Sequence, residues 1–278
     1  PFCLSVSFKA PHVQDRDPRQ FIYNPKYGQL YEDTEFEKPA TAGHEYYYGT
    51  FPSWFTQENE ARKRWRMRFA TPEMFQDSMK GYYRLITGVD DAVAGISNAL
   101  QEHGMADNTV ILFLGDNGFY MAEHGMAGKW YGHQESIRIP MVIYDPRSPE
   151  RRRGVRVDRI VLNIDVAPTI LELAGLKPPE GHQGRNLLPL WRGEQVDWRE
   201  DFLYEHLWYS RFPIHPTEGV VSKQYKYLRY PGIQPAFEEL YDLSKDPLEK
   251  NNLAQDSAHY ELLKRMRARC DALIEQAR

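Results

Sequence analysis

The residues best suited to chemistry in this chain are Asp116 and Asn117, which come directly after the apolar run 109–114. The run ends abruptly in the sequence Gly-Asp-Asn-Gly. Carboxylate and amide oxygens are hard donors, which suit Ca²⁺ or Mg²⁺ and suit zinc poorly. The same residue types also favour a turn that binds nothing, so the pair alone leaves a metal site and a simple turn equally open.

The element that must position this pair is a strand. A run that is apolar at every position is typical of a strand buried on both faces of a parallel sheet. In open α/β sheets, ligands bind beyond the carboxyl ends of the strands. The pattern therefore predicts that Asp116 and Asn117 lie at the edge of the sheet where chemistry takes place.

Helices and strands alternate over residues 1–195, which predicts an α/β domain. The predicted elements are strands at 2–8, 109–114 and 140–145, helices at 72–103 and from Asp165 to Ala174, and mostly loop with short helices over 13–70. Residues 196–278 predict a smaller α+β subdomain with short antiparallel strands at 202–207, 219–230 and 237–242 and a helix over 258–276.

The composition is that of an ordinary globular protein, with 41% apolar and 27% charged residues. A net charge of −4 argues against binding of nucleic acid through bulk electrostatics, and we interpret the arginine run 151–153 as solvated surface. No apolar stretch is long enough to predict a membrane span. The two cysteines, Cys3 and Cys270, form no disulfide framework, and we expect two buried free thiols.

A series of segments, taken in order, resembles the formylglycine-dependent sulfatases of the alkaline-phosphatase superfamily. The segments are 7–12 (Ser-Phe-Lys-Ala-Pro-His), 82–93, 114–118 (Leu-Gly-Asp-Asn-Gly), 123–125 (Glu-His-Gly), 128–129 (Gly-Lys), 135–140, 165–175 and 239–249. Each segment alone is a weak signal, but their order and spacing make the set specific. The resemblance implies an alkaline-phosphatase-like sheet flanked by helices.

The resemblance also implies the roles of individual residues. Asp116 and Asn117 correspond to metal ligands for Ca²⁺ or Mg²⁺, and Lys129, His12 and, more weakly, Lys9 correspond to catalytic groups. Hydrolysis of a sulfate ester places charge on the leaving oxygen, which fixed cations, donors and a divalent metal stabilise. Lys129 suits a sulfate oxygen, and an imidazole at His12 suits donation to the leaving oxygen.

We expect the substrate to be a sulfated small molecule or glycan. His124 and Trp130 are predicted to line its pocket. The aromatic and histidine content of residues 44–54 and 204–216 favours a sugar ring.

The chain departs from the family pattern in two respects. It has no Cys/Ser-x-Pro/Ala-x-Arg segment, from which the family makes formylglycine, and no first strand that ends in paired aspartates. We therefore expect the C-terminal portion of a sulfatase, with a sheet incomplete on its N-terminal side and a nucleophile outside this chain. Such a chain would be inactive alone and would have the N-terminal portion as its partner. The full-length protein is expected to be periplasmic or secreted, as family members usually are.

Two other functions stay open. The first is a metal-dependent phosphodiesterase or phosphatase of the same superfamily, although the Gly128-Lys129 loop favours sulfate. The second is a non-catalytic binding fragment, which the missing nucleophile would allow.

Overall fold

The computed structural model describes residues 1–15, 17–207 and 214–278, with only the backbone for Arg151. The chain divides into two compact units. The first comprises Pro1–Thr109 and Phe119–Lys129, and the second comprises Val110–Gly118 and Trp130–Arg278. These limits do not coincide with the boundary expected after residue 195, so the division into 1–195 and 196–278 stays a prediction.

Short helices and strands make up most of the regular structure of the described residues. The α-helices are α1 His44–Thr50, α2 Glu60–Arg68, α3 Pro72–Glu102, α4 Gln134–Ile137, α5 Val166–Leu173, α6 Leu188–Arg192 and α7 Tyr260–Ala277. The strands are β1 Ile111–Leu114, β2 Tyr120–Met121, β3 Ala127–Gly128, β4 Met141–Tyr144, β5 Asp201–His206, β6 Thr217–Ser222, β7 Tyr225–Arg229 and β8 Glu238–Asp242. Six 3₁₀ turns connect them, at Pro25–Tyr27, Ala106–Asn108, Glu123–Gly125, Glu150–Arg152, Asn163–Asp165 and Ser257–His259.

The long helix α3 confirms its prediction. Thr71 caps its first turn, because its hydroxyl accepts a hydrogen bond from the Met74 amide at 3.2 Å. The helix ends before Gly104, whose φ of +66° suits glycine. Its apolar side chains Phe75 and Leu85 lie in the core of the first unit. The other members of this core include Phe21, Trp65, Phe69, Met121 and Ala127.

The predicted strand at 2–8 is wrong. These residues form no strand, and Phe2 and Leu4 are 59% and 69% exposed. A strand needs a neighbour for its backbone N–H and C=O groups, and no described strand is hydrogen-bonded to this segment. An apolar run does not show whether such a neighbour exists.

Strand β1 forms where the sequence predicts it, but its pairing differs from the prediction. It pairs antiparallel with β4, with Ile111 opposite Tyr144 and Leu114 opposite Met141. Val142 is 57% exposed, so the two strands are not buried on both faces. Among the described residues, the expectation of a parallel, fully buried strand is therefore wrong, because hydrophobicity alone does not set the direction of a partner strand.

The C-terminal part of the second unit contains a four-stranded antiparallel sheet in the order β5-β6-β7-β8, as the sequence predicts. The predicted strand 219–230 is a hairpin, since β6 and β7 are separated by Lys223 and Gln224. Helix α7 packs against this sheet through Leu263, Cys270 and Ile274. Both cysteines are free, but only Cys270 is buried as expected, whereas Cys3 is exposed.

Helix α5 ends near Ala174 as predicted, but Asp165 does not cap it with its side chain. The Asp165 carboxylate accepts hydrogen bonds from the Leu162 and Arg185 amides and pairs with Arg199. Over the residues that the structure describes, none of the helices combines the length and the apolar content that crossing a membrane requires.

Candidate functional site

The Asp-Asn-Gly turn lies at the carboxyl end of β1 and is held by α4. The amide of Gly118 donates a hydrogen bond to the Ser136 carbonyl at 2.9 Å. A Cβ atom on Gly118 would lie 2.2 Å from the Glu135 carbonyl oxygen, a distance that no side chain can adopt. Only glycine therefore allows the backbone of α4 to approach the turn so closely.

The side chains of this turn are oriented with oxygens available to a cation. Asp116 is exposed, and its Oδ1 accepts from the Asn117 amide at 2.9 Å. The Asn117 Nδ2 donates to the Gly118 carbonyl at 2.6 Å, which leaves its amide oxygen for another partner. Two hard oxygens fit the chemistry of Ca²⁺ or Mg²⁺, but Ca²⁺ takes about 6–8 oxygen ligands. Asp116 and Asn117 therefore supply only some of the ligands that a Ca²⁺ site requires.

A buried charge network fixes the start of α4. His133 Nε2 donates to Glu239 Oε2 at 3.0 Å, and the Gln134 amide donates to Glu249 Oε2 at 2.6 Å. The other oxygen of Glu249 pairs with Lys226 Nζ at 2.6 Å. His133, Glu239, Lys226 and Glu249 are each 0% exposed. The sheet β5–β8 thus reaches the Asp-Asn-Gly turn through α4.

The protonation states in this network follow from burial and from the paired charges. Burial alone would lower the pKa of His133, but the adjacent Glu239 carboxylate more than offsets it and raises that pKa. Burial would raise the pKa of Glu239, but the charge of His133 and hydrogen bonds from His133, Tyr230 and Tyr241 lower it to about 2. Burial lowers the pKa of Lys226, against the opposing charge of Glu249. Both shifts therefore favour the charged forms of His133 and Glu239.

Lys129 follows the β2–β3 hairpin of the first unit. The hairpin pairs Tyr120 with Gly128, and extending that register by one residue places Phe119 opposite Lys129. Lys129 is half-buried. Among the described residues, its ammonium group forms no hydrogen bond or ion pair. The predicted sulfate-binding cation is thus free to bind an anion.

His12 contacts Phe119, the residue that precedes β2. The two rings pack edge to face with centroids 6.4 Å apart. The His12 Nδ1 donates to the Val13 carbonyl at 2.7 Å, so Nδ1 carries a hydrogen and Nε2 is the atom left for a ligand. The first unit therefore brings His12 and Lys129 to the same end of the hairpin. Lys9 is exposed and donates to the Gln14 side chain.

The sequence analysis did not identify Arg68, which also borders this cluster. Its guanidinium carbon lies 5.8 Å from the centroid of the Phe119 ring, and its side chain is 1% exposed. Its Nε donates to Gln20 at 2.9 Å, whereas its buried Nη1 has no hydrogen-bond partner among the described residues. Burial lowers the pKa of Arg68 to about 10. A basic residue on a short helix gave no sign in the sequence that it would be buried.

His124 is held inside the first unit. It is 0% exposed, has a positive φ of 56°, and its amide donates to the Thr41 hydroxyl at 3.0 Å. The rings of Tyr46 and Phe51 from segment 44–54 surround it. This part of the predicted aromatic pocket is core packing around the loop.

Arg62 anchors the same loop. Its Nη1 donates to the Gly125 carbonyl at 2.7 Å, and its Nη2 lies 3.0 Å from His44 Nδ1. Its guanidinium stacks 3.9 Å from the Trp65 ring centroid. Gly125 has a φ of +65° and a close approach to Tyr47, so this position requires glycine.

Trp130 is half-buried with a positive φ of 94°. Its carbonyl accepts a hydrogen bond from the Tyr204 hydroxyl of β5 at 2.6 Å. Residues 208–213 of the predicted aromatic segment 204–216 lie outside the described residues.

Two family profiles match the chain. The one described as "Sulfatase" covers residues 1–176, and the one described as "N-sulphoglucosamine sulphohydrolase, C-terminal" covers residues 122–276. Together they match nearly the whole sequence.

Two curated relatives share moderate identity with the chain. It is 36% identical over 196 residues to the multifunctional alkaline phosphatase superfamily protein PehA of Trinickia caryophylli, and the aligned stretch covers 66% of this chain and 37% of that protein. It is 30% identical over 183 residues to the N-acetylglucosamine-6-O-sulfatase of Bacteroides thetaiotaomicron, which covers 64% of this chain and 32% of that protein. The chain thus spans about a third of the length of these relatives.

Among solved structures, BT4656 in complex with its substrate D-glucosamine-2-N,6-O-disulfate resembles the chain with a TM-score of 0.78 at 22% identity. The match covers 97% of this chain and 64% of that one. It confirms the predicted α/β, alkaline-phosphatase-like fold.

Proposed function

Because this chain belongs to the sulfatase family, we propose that the protein of which it forms part hydrolyses sulfate esters of carbohydrates. The observation that carries the proposal is the half-buried, unpaired cation of Lys129, which lies at the same hairpin end as His12. A sulfate monoester carries delocalised negative charge, and a compact ammonium group suits one of its oxygens.

In this proposal, His12 supplies the proton to the leaving oxygen. The Nδ1–H is committed to the Val13 carbonyl, so the proton is donated from Nε2 of the protonated ring. The Phe119 ring packs edge to face against the imidazole, and Arg68 adds a positive charge beside the Phe119 ring. Lys9 has a secondary role at most, because it is exposed and bonded to Gln14.

Asp116 and Asn117 would hold a divalent cation, Ca²⁺ or Mg²⁺, together with ligands from elsewhere. The available oxygens of the turn suit such an ion, which when bound neutralises charge on the sulfate group. The role of α4 and its buried charges is to keep this turn rigid.

We further propose that the formylglycine nucleophile lies outside this chain, because the sequence contains no segment from which it could be made. A chain without the nucleophile lacks covalent catalysis and would be inactive by itself.

The proposed substrate is a sulfated glycan or a sulfated sugar. The relative named N-acetylglucosamine-6-O-sulfatase supports a sugar. The roles of Trp130 and of the buried His124 toward that sugar stay predictions of the family resemblance. We place the protein in the periplasm or outside the cell, where sulfated glycans of other organisms are met.

A phosphodiesterase or phosphatase is the second candidate, since one relative is named a multifunctional protein of the alkaline phosphatase superfamily. The two functions are separated by comparing 4-nitrophenyl sulfate with 4-nitrophenyl phosphate and bis(4-nitrophenyl) phosphate, using the protein as its own cells make it. A sulfatase shows its highest kcat/KM on the sulfate ester. A higher kcat/KM on either phosphate ester would replace the proposal with the second candidate, and inactivity on all three would favour a binding fragment.

A further inference from the structure

The second unit contains a cavity of about 450 Å³ that the proposed reaction does not use. We call it the arginine-lined cavity. Its lining residues are Asp145, Arg147, Ser148, Pro149, Arg152, Glu172, Leu173, Leu188, Trp191 and Arg192. Its volume lies within the usual range of small-molecule sites, about 300–1,000 Å³.

The arginine-lined cavity lies away from the Asp-Asn-Gly turn. That turn follows Leu114, which pairs with Met141 at the start of β4, whereas Asp145 comes directly after Tyr144 at the other end of β4. Because the paired strands run antiparallel, the two sites lie at opposite ends of the same two-stranded sheet. A ligand in the cavity would therefore bind separately from a cation at the turn.

The polar side chains of the cavity are held in place by hydrogen bonds. Trp191 Nε1 donates to the Ser148 hydroxyl at 3.0 Å. Arg152 Nε and Nη2 donate to the carbonyls of Trp191 and Leu190 at 2.8 Å and 3.1 Å. Arg152 is half-buried, so the expectation that the run 151–153 is solvated surface is wrong for this residue.

Gly193 lets the Arg152 guanidinium lie against the end of α6. Its φ is +79°, and a Cβ atom there would lie 2.9 Å from Arg152 Nη1. The cavity thus has an ordered cationic wall built by α6 and the 3₁₀ turn Glu150–Arg152. Ordered side chains bind a ligand with less loss of conformational entropy than mobile ones.

The chemistry of the lining favours an anionic sugar. Arg147 is neutralised by a bidentate pair with Asp145, which leaves Arg192 and the Nη1 group of Arg152 as the cationic groups of the lining that are available to a ligand. Arg192 is exposed, and its contact with Glu194 is long at 3.9 Å. Guanidinium groups bind sulfate and carboxylate oxygens in pairs.

The remaining polar and aromatic groups suit the neutral part of such a ligand. The half-buried ring of Trp191 offers an apolar face to the C–H groups of a sugar, and Glu172 can accept hydrogen bonds from its hydroxyls. We propose that the arginine-lined cavity is a second binding site for an anionic saccharide, and that it holds part of a sulfated glycan away from the reacting ester. This inference rests on the proposed function for the class of ligand, but the site stands on its own residues.

The test is direct binding of a heparin-derived tetrasaccharide, measured by isothermal titration calorimetry without hydrolysis. The chemically desulfated and N-acetylated tetrasaccharide is the matched neutral probe. We expect the sulfated probe to bind, Arg192→Glu to weaken it about tenfold or more, and Arg192→Gln to weaken it less. Arg156→Glu is the matched control, because Arg156 is exposed on the same basic segment and does not line the cavity.

Equal losses in Arg192→Glu and Arg156→Glu would mean unspecific attraction to the basic surface and would overturn the proposal. No binding of the sulfated probe, or equal binding of the neutral one, would also overturn it. Lys129→Ala separates the two sites, since the part of the binding that depends on Arg192 persists in this variant if the cavity holds the glycan. If the protein has no sulfatase activity but binds the sulfated probe in a way that depends on Arg192, the proposed function is wrong and the second binding site stands.

Discussion

Lys129 places a positive charge in a half-buried position where no described carboxylate compensates it. Burying part of a charge without a partner costs free energy, which an anionic ligand would recover. The charge is a compact ammonium group, which suits a single oxygen of a tetrahedral anion. At the scale of residues, the proposal therefore depends on this side chain more than on any other.

Substitution of Lys129 tests that dependence. We expect Lys129→Ala in the active protein to lower kcat/KM for 4-nitrophenyl sulfate by about 10²–10³-fold, the loss typical of a removed charge-stabilising donor. Lys38→Ala is the control, because Lys38 is an exposed lysine of the same unit. Equal activities of the two variants in a steady-state assay would mean that Lys129 does not contact the sulfate group.

Gly118 gives a second prediction at this scale, for stability. Gly118→Ala forces a Cβ atom against the Glu135 carbonyl, so we expect the free energy of unfolding to fall by about 1–3 kcal/mol. Gly115→Ala is a matched control in the same turn, since its Cβ atom would meet only ordinary contacts at 3.5 Å or more. Urea unfolding of both variants decides the point. If Gly118→Ala unfolds at a urea concentration as high as Gly115→Ala does, α4 does not approach the turn as closely as described.

Helix α4 has four residues and cannot be stable by its own hydrogen bonds. Its N-terminal end is instead fixed by Glu239 and Glu249, which reach it from the C-terminal part of the second unit. Both carboxylates are fully buried, and each lies beside a basic side chain, Glu239 beside His133 and Glu249 beside Lys226. At the scale of elements, the buried network thus couples the sheet β5–β8 to the Asp-Asn-Gly turn.

Removing one charge from the network is expected to be costly. Glu249→Gln leaves the Lys226 ammonium group buried without a counter-charge, and we expect the free energy of unfolding to fall by about 3–5 kcal/mol. Arg147→Gln breaks an exposed ion pair with Asp145 and is the control, with an expected loss of about 1 kcal/mol or less. Similar losses in both variants, measured by urea unfolding, would show that the network does not stabilise this unit.

The His133–Glu239 pair predicts how stability depends on pH. The pKa of Glu239 is lowered from 4.5 to about 2, so its contribution is complete above pH 4.5 and is lost as the pH falls towards 2. The pKa of His133 is raised above 6.5, so its contribution is complete below pH 6.5 and is lost as the pH rises through the folded value. Together the two groups stabilise the fold most between pH 4.5 and 6.5.

A comparison of the wild-type protein with His133→Gln isolates this contribution. We expect the difference in free energy of unfolding between them to be largest near pH 5–6 and to shrink above pH 6.5, in urea titrations at a series of pH values. A difference that stays constant from pH 5 to 9 would mean that His133 is not charged in the folded protein.

Three of the seven described α-helices, α3, α5 and α7, follow from the sequence because their signals are local. The cap at Thr71, the apolar spacing and the glycine at 104 define α3, and the apolar stripe of α7 defines the last helix. Strand pairing was less predictable. The direction of β4 beside β1 and the unpaired segment 2–8 depend on neighbours that local patterns do not record.

The residues of the candidate site also differ in how well the sequence indicates them. Asp116, Asn117 and Lys129 can be proposed from the sequence because their residue types and flanking glycines are visible there, and their roles stay predictions. Arg68 and Glu249 were not, because their roles depend on burial and on contacts with residues distant in sequence. A charged residue on an amphipathic or polar segment is usually exposed, and only the folded structure shows the exceptions.

For the complete protein, the proposed activity is the hydrolysis of a sulfated sugar. The most direct measurement is the release of sulfate from glucosamine 6-sulfate by the protein as its own cells make it, followed by ion chromatography, with release of phosphate from glucosamine 6-phosphate as the comparison. We predict that sulfate is released faster, and that Lys129→Ala abolishes most of the release. Faster release of phosphate, or no release of either anion, would contradict the proposal that the protein is a sugar sulfatase.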